Sequence, residues 1–140
     1  MKNNNEMPLV SIIIPVRNEA AFIERGLAAV LGQTYPKDRI EIVVADGMST
    51  DGTREKILEI AARSEINILI VDNVKRTAPT GLNRAIDKAS GEIIIRVDGH
   101  CEIDPDYVAN CVELLESGRA EGVGGPIETV ISPGRSTNLL

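Results

Sequence analysis

Aromatic side chains are nearly missing from this chain: Phe22, Tyr35 and Tyr107 are all there are, and tryptophan is absent. Its core must therefore be aliphatic, and a platform that stacks the bases of single-stranded nucleic acid is excluded. Positive charge is also in deficit, with 15 basic against 21 acidic residues and a net charge of −6. That balance opposes nonspecific binding to a polyanion, so nucleic acid is not an expected partner. A nucleotide remains acceptable where a divalent cation meets its phosphates. Cysteine is limited to Cys101 and Cys111, too few for a disulfide framework. Both read as reduced packing thiols in a cytoplasmic setting. No run reaches the roughly 18 apolar residues of a membrane span. Met1 to Met7 does not resemble a signal peptide, and no internal repeat is visible.

What remains is an ordinary globular composition, 43% hydrophobic and 26% charged over 140 residues. That length is one domain with enough chain to bury a core. Residues 1–8 read as a flexible polar tail, and 9–140 as the domain. "LVSIIIPV" (9–16) is a continuous apolar run, the mark of a strand covered on both faces. "EAAFIERGLAAVLGQ" (19–33) places Phe22, Ile23, Leu27, Val30 and Leu31 at helical spacing. "RIEIVVAD" (39–46) is a second strand. A second helix, 51–64, opens on Asp51 as a cap. "NILIVD" (67–72) is a third strand. A third helix, 79–90, has Pro79 in its first turn and Gly91 past its end. "EIIIRV" (92–97) is a fourth strand. A fourth helix, 104–118, has Asp104 as cap and Gly118 as stop. A glycine-weakened fifth strand is expected over "EGVGGPIETV" (121–130).

This alternation predicts an α/β fold: a mostly parallel sheet with helices on both faces. Ligands of such sheets bind beyond the carboxyl ends of the strands. Three strand ends carry polar residues there. Asp98-Gly99-His100 sets a carboxylate and the chain's one imidazole either side of a small residue, able to turn toward one cation. Oxygen donors suit Mg²⁺ or Mn²⁺, and imidazole suits Mn²⁺ better. Asp-Gly is equally a common turn pair. Asp46-Gly47 puts an acceptor where a base or ribose would lie, or forms a turn. "PVRNE" lets Pro15 stop a strand without an amide donor and offers Arg17, Asn18 and Glu19 at the rim; Glu19 also suits a helix N-terminus. Arg96, charged inside an apolar strand, calls for an acidic partner or an exposed face. Arg76 and Asn83 can approach phosphates or a ribose, or simply face solvent.

Taken together, "VSIIIPVRNEAAFIERGLAAVLGQTYP", "IEIVVADGMSTDGT" and "GLNRAIDKASGEIIIRVDGH" resemble the nucleotide-binding half of family 2 glycosyltransferases, with the Rossmann-like GT-A fold. The resemblance runs from about Val10 to Pro126. Within the family it is nearest to succinoglycan-type polysaccharide synthases, where "RVDGH" and "GGP" have counterparts. It implies that Pro15, Arg17, Asn18 and Glu19 surround the nucleobase and ribose, and that Asp46 recognises uracil. Arg76 and Asn83 would line the nucleotide and donor sugar. Asp98 and His100 match the family's Asp-x-Asp, which holds the ribose and an Mn²⁺ or Mg²⁺ on the diphosphate. Gly124 and Gly125 would open toward the acceptor. The chain departs from the pattern twice, with His100 in place of an aspartate and Arg17 in place of a tyrosine; a guanidinium also stacks on a flat base.

The reaction so implied is inverting transfer of a sugar from a nucleoside diphosphate, expected to be UDP, to a carbohydrate or lipid-linked acceptor in polysaccharide synthesis. The family's carboxylate base lies further downstream, so a donor-binding portion inactive in transfer is expected, with membrane association belonging only to a longer protein at the membrane's inner face. Other classes compete. A response-regulator receiver has similar alternation, but no lysine follows Val123. A dinucleotide-binding fold lacks its G-x-G-x-x-G after strand 1. A non-catalytic nucleotide-binding or interaction module is the stronger rival.

Overall fold

The computed structural model describes residues 3–118 and 121–124. Four strands form one sheet: β1 (Val10–Val16), β2 (Ile40–Asp46), β3 (Asn67–Asp72) and β4 (Ile93–Arg96). Every pairing is parallel and the spatial order is β3-β2-β1-β4. The helices are α1 (Ile23–Leu31), α2 (Thr53–Arg63), α3 (Ala78–Lys88) and α4 (Tyr107–Glu116). The expected α/β class, with helices on both faces, is what the chain adopts.

The order follows from the handedness of its crossovers. From β1 to β3 the chain steps one way across the sheet, and α1 and α2 lie on one face. It then reverses to place β4 beyond β1. A right-handed crossover in the reverse direction must lie on the opposite face, and α3 does. Two cores result. Alternate residues of β1 and β2 (Ile12, Ile14, Ile42, Val44) pack with Ile23 and Leu27 of α1, Ile57 of α2 and Val108 of α4. The intervening ones (Ile13, Val43, Ala45) pack against Ala85 of α3. Both faces of the two central strands are thus covered, which is why they read as largely apolar runs, with Ser11 and Glu41 the polar exceptions near their starts. Each fully buried Ile or Val among them contributes about 1.5–3 kcal/mol. The edge strand β3 alternates instead, with Leu69 42% exposed.

Several boundaries differ from the sequence reading, each for a local reason. The segment before α1 is a turn in which the Glu19 carbonyl accepts from both Phe22 N and Ile23 N, so the helix starts at Ile23. α4 starts at Tyr107, and Asp104 gives it a backbone carbonyl rather than a side-chain cap. The cap comes from far away: buried Gln33 accepts from Val108 N (2.9 Å) and donates to Asp104 O (2.7 Å). Gly118 does stop α4, with φ +73°. Pro15 does not stop β1. Val97 N donates to Ile13 O and Gly47 N to Val16 O, so odd-numbered residues of β1 face β4. Pro15 therefore turns its missing amide past the end of the β4 pairing, which closes at Arg96. At the other end, Met7 and Pro8 of the polar tail accept from Arg39 Nε (2.8 Å) and the Tyr35 hydroxyl. Residues 121–124 form no strand, and the remainder of the expected fifth strand, Gly125 included, lies outside the described residues.

Candidate functional site

The strand order reverses between β1 and β4, and such a reversal is where parallel sheets hold a crevice at the carboxyl ends of their strands. A cavity of about 290 Å³ occupies it. Pro15, Arg17 and Glu19 form one wall, Arg96, Asp98 and His100 another, and the β3–α3 loop with Asn73, Arg76 and Thr77 closes a third. Six of the sequence-predicted residues meet here. Three guanidinium groups and two carboxylates line it, a balance that favours an anion.

The turn that carries Asp98 and His100 is built by close backbone packing. Cys101 N donates to Asp98 O (3.0 Å). Gly99 is buried, and a β-carbon there would stand 2.7 Å from Val16 Cγ1. Arg96, the charge inside an apolar strand, donates from Nε to Asp98 Oδ1 at 3.0 Å and is half-exposed. It thus has both the acidic partner and the exposed face. His100 Nδ1 lies 3.4 Å from Glu19 Oε1. Asp98, His100 and Cys101 each offer a ligand atom within 4.8 Å of the others. Burial, and after it the Asp98 carboxylate, pushes the Cys101 thiol up, and hard cations prefer oxygen to sulfur. Oxygen and imidazole nitrogen remain as donors. That set fits a divalent cation of the Mn²⁺ or Mg²⁺ kind.

Asp46 lies beside the cavity without lining it. Its side chain is 1% exposed. Oδ1 accepts from Ser49 N and Ser49 Oγ, and Oδ2 pairs with Arg54 at 3.3 Å. The same Arg54 nitrogen reaches Asp72 at 2.6 Å, tying the ends of β2 and β3 together. Asn18 is also taken up locally: its Oδ1 accepts from Thr50 N and its backbone N–H donates to Ser49 Oγ. The N-cap of α2 is Gly52 rather than Asp51; Asp51, one residue earlier, still accepts from Thr53 N, and also from Ala20 N. These bonds lace the loop after β1 to the loop after β2. Asn18, Met48 and Arg76 take left-handed φ values of +51°, +60° and +66°. All three follow a strand end, where the backbone must turn sharply without glycine.

The β3–α3 loop was only partly legible. Arg76 lies there, before the N-cap Thr77, and lines the cavity. What holds it is Asn73, 4% exposed, whose side chain donates to Thr77 O (2.8 Å) and accepts from Thr80 Oγ1 (2.9 Å). Sequence reasoning passed over Asn73; a strand end followed by an Asn and a Thr-x-Pro helix start is the signal it left. Asn83 sits exposed on α3 and does not line the cavity.

Comparison with known proteins places this arrangement. The family model described as Glycosyl transferase family 2 matches residues 11–139. The glycosyltransferase AglE of Haloferax volcanii is 33% identical over 122 residues, covering 87% of this chain and 40% of that protein. The succinoglycan biosynthesis protein ExoA of Rhizobium meliloti is 35% identical over 128 residues, 90% of this chain and 37% of that one. Among solved structures, the mannosyltransferase PcManGT of Pyrobaculum calidifontis, in complex with GDP-Man and Mn²⁺, superposes with a TM-score of 0.75 at 33% identity, over 82% of this chain and 34% of its own. The chain thus spans about two fifths of the length of the curated relatives it matches.

Proposed function

The chain belongs to glycosyltransferase family 2, and from that premise we propose that the cavity between β1 and β4 holds the nucleoside-diphosphate portion of an activated sugar. One observation carries the reading: Asp98 and His100 meet Arg17 and Arg76 in a single cavity at the switch point of the sheet.

The residues divide the work by chemistry. Asp98 and His100 hold a divalent cation, Mn²⁺ or Mg²⁺, and bound there it supplies positive charge against a leaving diphosphate. The PcManGT complex with GDP-Man and Mn²⁺ supports this reading. Arg76, on the wall made by the β3–α3 loop, brings a guanidinium to the phosphates through charge-assisted hydrogen bonds. Arg17 donates to Gly47 O (3.4 Å), which turns its planar guanidinium along the base side; Pro15 forms the wall beside it. Asn18 and Asp46 act as the frame of the base pocket, since their polar atoms are engaged by Ser49, Thr50 and Arg54. Asn83, outside the cavity, receives no contact with the nucleotide.

For the finer points we propose a UDP-sugar donor, inversion, and a carbohydrate or lipid-linked acceptor in polysaccharide synthesis at the membrane's cytoplasmic face. The names of AglE and ExoA support a glycan-building role; the base preference rests on the family resemblance, because the Asp46 carboxylate is shielded. Among the described residues no helix is long and apolar enough to cross a membrane. A carboxylate must take the acceptor's proton, and none of the described residues is assigned that task.

Thermal melting of the chain with UDP and with GDP, each with and without Mn²⁺, tests the proposal. A ligand at 100 times its Kd stabilises the fold by about 2.7 kcal/mol. A metal-dependent rise with a nucleoside diphosphate is expected, larger for UDP. No rise with either would overturn the donor-site reading and favour an interaction module.

A further inference from the structure

The pairing of Glu19 with His100 gives Glu19 a task that a rim residue contacting base or ribose would not have. Its position is set from several sides. Glu19 N donates to Thr53 Oγ1 of α2 (2.9 Å), and its carbonyl accepts the first two amides that lead into α1. The side chain is 23% exposed and runs along the turn that carries Asp98 and His100, with its Cγ 3.6 Å from where a β-carbon on Gly99 would be. At the end of that path Oε1 stands 3.4 Å from Nδ1 of His100. The imidazole itself is 56% exposed, so packing alone does not hold the ring.

A neutral imidazole has one N–H and one in-plane lone pair, and its two nitrogens, either side of Cε1, point in different directions. A carboxylate facing Nδ1 favours the proton there, which leaves the lone pair on Nε2. This is the arrangement in which a carboxylate orients a ligating histidine and fixes its tautomer. We propose that Glu19 is a positioning residue of the metal site: it holds His100 in the Nδ1–H form and so presents Nε2 to the cation. The inference rests on the donor-site reading above and gives it a second layer. It also explains how an imidazole serves where the family's pattern has an aspartate. A carboxylate can turn either oxygen to an ion, whereas an imidazole must have the right nitrogen bare.

The experiment exploits the fact that His100 is the chain's single histidine, so its ring nitrogens are unambiguous in ¹⁵N-resolved NMR. The metal-free chain is compared with Glu19→Gln and Glu19→Ala at a pH where the ring is neutral, and each is then titrated with Mn²⁺ in the presence of UDP. The expected result is an Nδ1–H tautomer in the parent chain, kept in Glu19→Gln, whose amide oxygen still accepts, and lost in Glu19→Ala. Mn²⁺ affinity should fall about 10- to 100-fold in Glu19→Ala and much less in Glu19→Gln. An Nε2–H tautomer in the parent chain would overturn the inference. So would Glu19→Ala that binds Mn²⁺ as the parent does. If Mn²⁺ fails to broaden the His100 signals of the parent chain at all, the donor-site reading falls, and the positioning role with it. Amide spectra of the two variants show whether the fold is intact, and Glu19→Gln keeps the test open should Glu19→Ala not fold.

Discussion

Gly26, in the middle of α1, lies so close to the turn after β4 that a β-carbon on it would stand 2.8 Å from the Gly99 carbonyl oxygen and 3.2 Å from that of Cys101. Helix α1 is thereby the bed on which Asp98 and His100 rest, although 73 residues separate Gly26 from Gly99. Ordinarily an alanine would stabilise a helix interior over glycine by about 1 kcal/mol. Here the opposing atoms are backbone and cannot rotate away.

Gly26→Ala is therefore expected to destabilise the fold by about 1–3 kcal/mol and to weaken Mn²⁺-dependent nucleotide binding together with it. Urea unfolding gives the first quantity and a thermal shift with UDP and Mn²⁺ the second. A variant of raised stability and unchanged metal dependence would show that the contact does not position the turn.

Asp98→Asn should separate stability from binding. The Arg96 pair it removes is half-exposed, and such pairs contribute about 0–1 kcal/mol. The melting temperature without ligand is expected to stay near that of the parent chain. The metal-dependent rise with UDP is expected to vanish. A retained rise would place the cation elsewhere.

Arg54→Met removes the counter-ion of a carboxylate that is 1% exposed. Breaking a fully buried pair costs about 3–5 kcal/mol, but Arg54 is 35% exposed and the Ser49 bonds remain, so a loss of about 1–3 kcal/mol is expected. Asp46→Asn combined with Arg54→Met should recover part of it, because the unpaired charge is gone. Chemical denaturation of the two single variants and the double variant measures the coupling.

Acid stability should depend on Glu41, at the opposite end of the sheet. Burial pushes its carboxyl up, but hydrogen bonds from Ser11 and Ser90 and the Gly91 amide together outweigh burial and hold it below the usual glutamate range. A folded pKa lower than the unfolded one means that the fold favours the ionised form. Its contribution is complete above about pH 4.3, the unfolded value. It is lost as pH falls from there through the folded pKa. Glu41→Gln should lower the melting temperature at pH 7 and flatten the part of its acid decline that lies below about pH 4.3. An identical decline in both proteins would show that these hydrogen bonds do not carry the effect.

Legibility along the chain followed the range of the interaction that fixed each feature. The largely apolar runs of β1 and β2 record burial on two faces, and Ile23, Leu27 and Val30 record the buried stripe of α1; such patterns are local and were readable. So were the strand-end positions of Arg17 and of Asp98 with His100, because a parallel sheet collects its strand ends on one rim.

What the amino-acid order determined by itself was thus the alternation of elements, their buried faces and the polar character of the strand ends. The tertiary structure alone decided which ends share a cavity. The reversal after β3 brought β4 beside β1 and left Asp46 outside, occupied by Arg54 from the next helix. It also chose the partners of polar groups: Gln33 for the start of α4, Asn73 for the loop of Arg76, Glu19 for His100. Hydrogen bonds and ion pairs act over a few ångströms, and sequence separation says nothing about who stands within that distance until the sheet order is set.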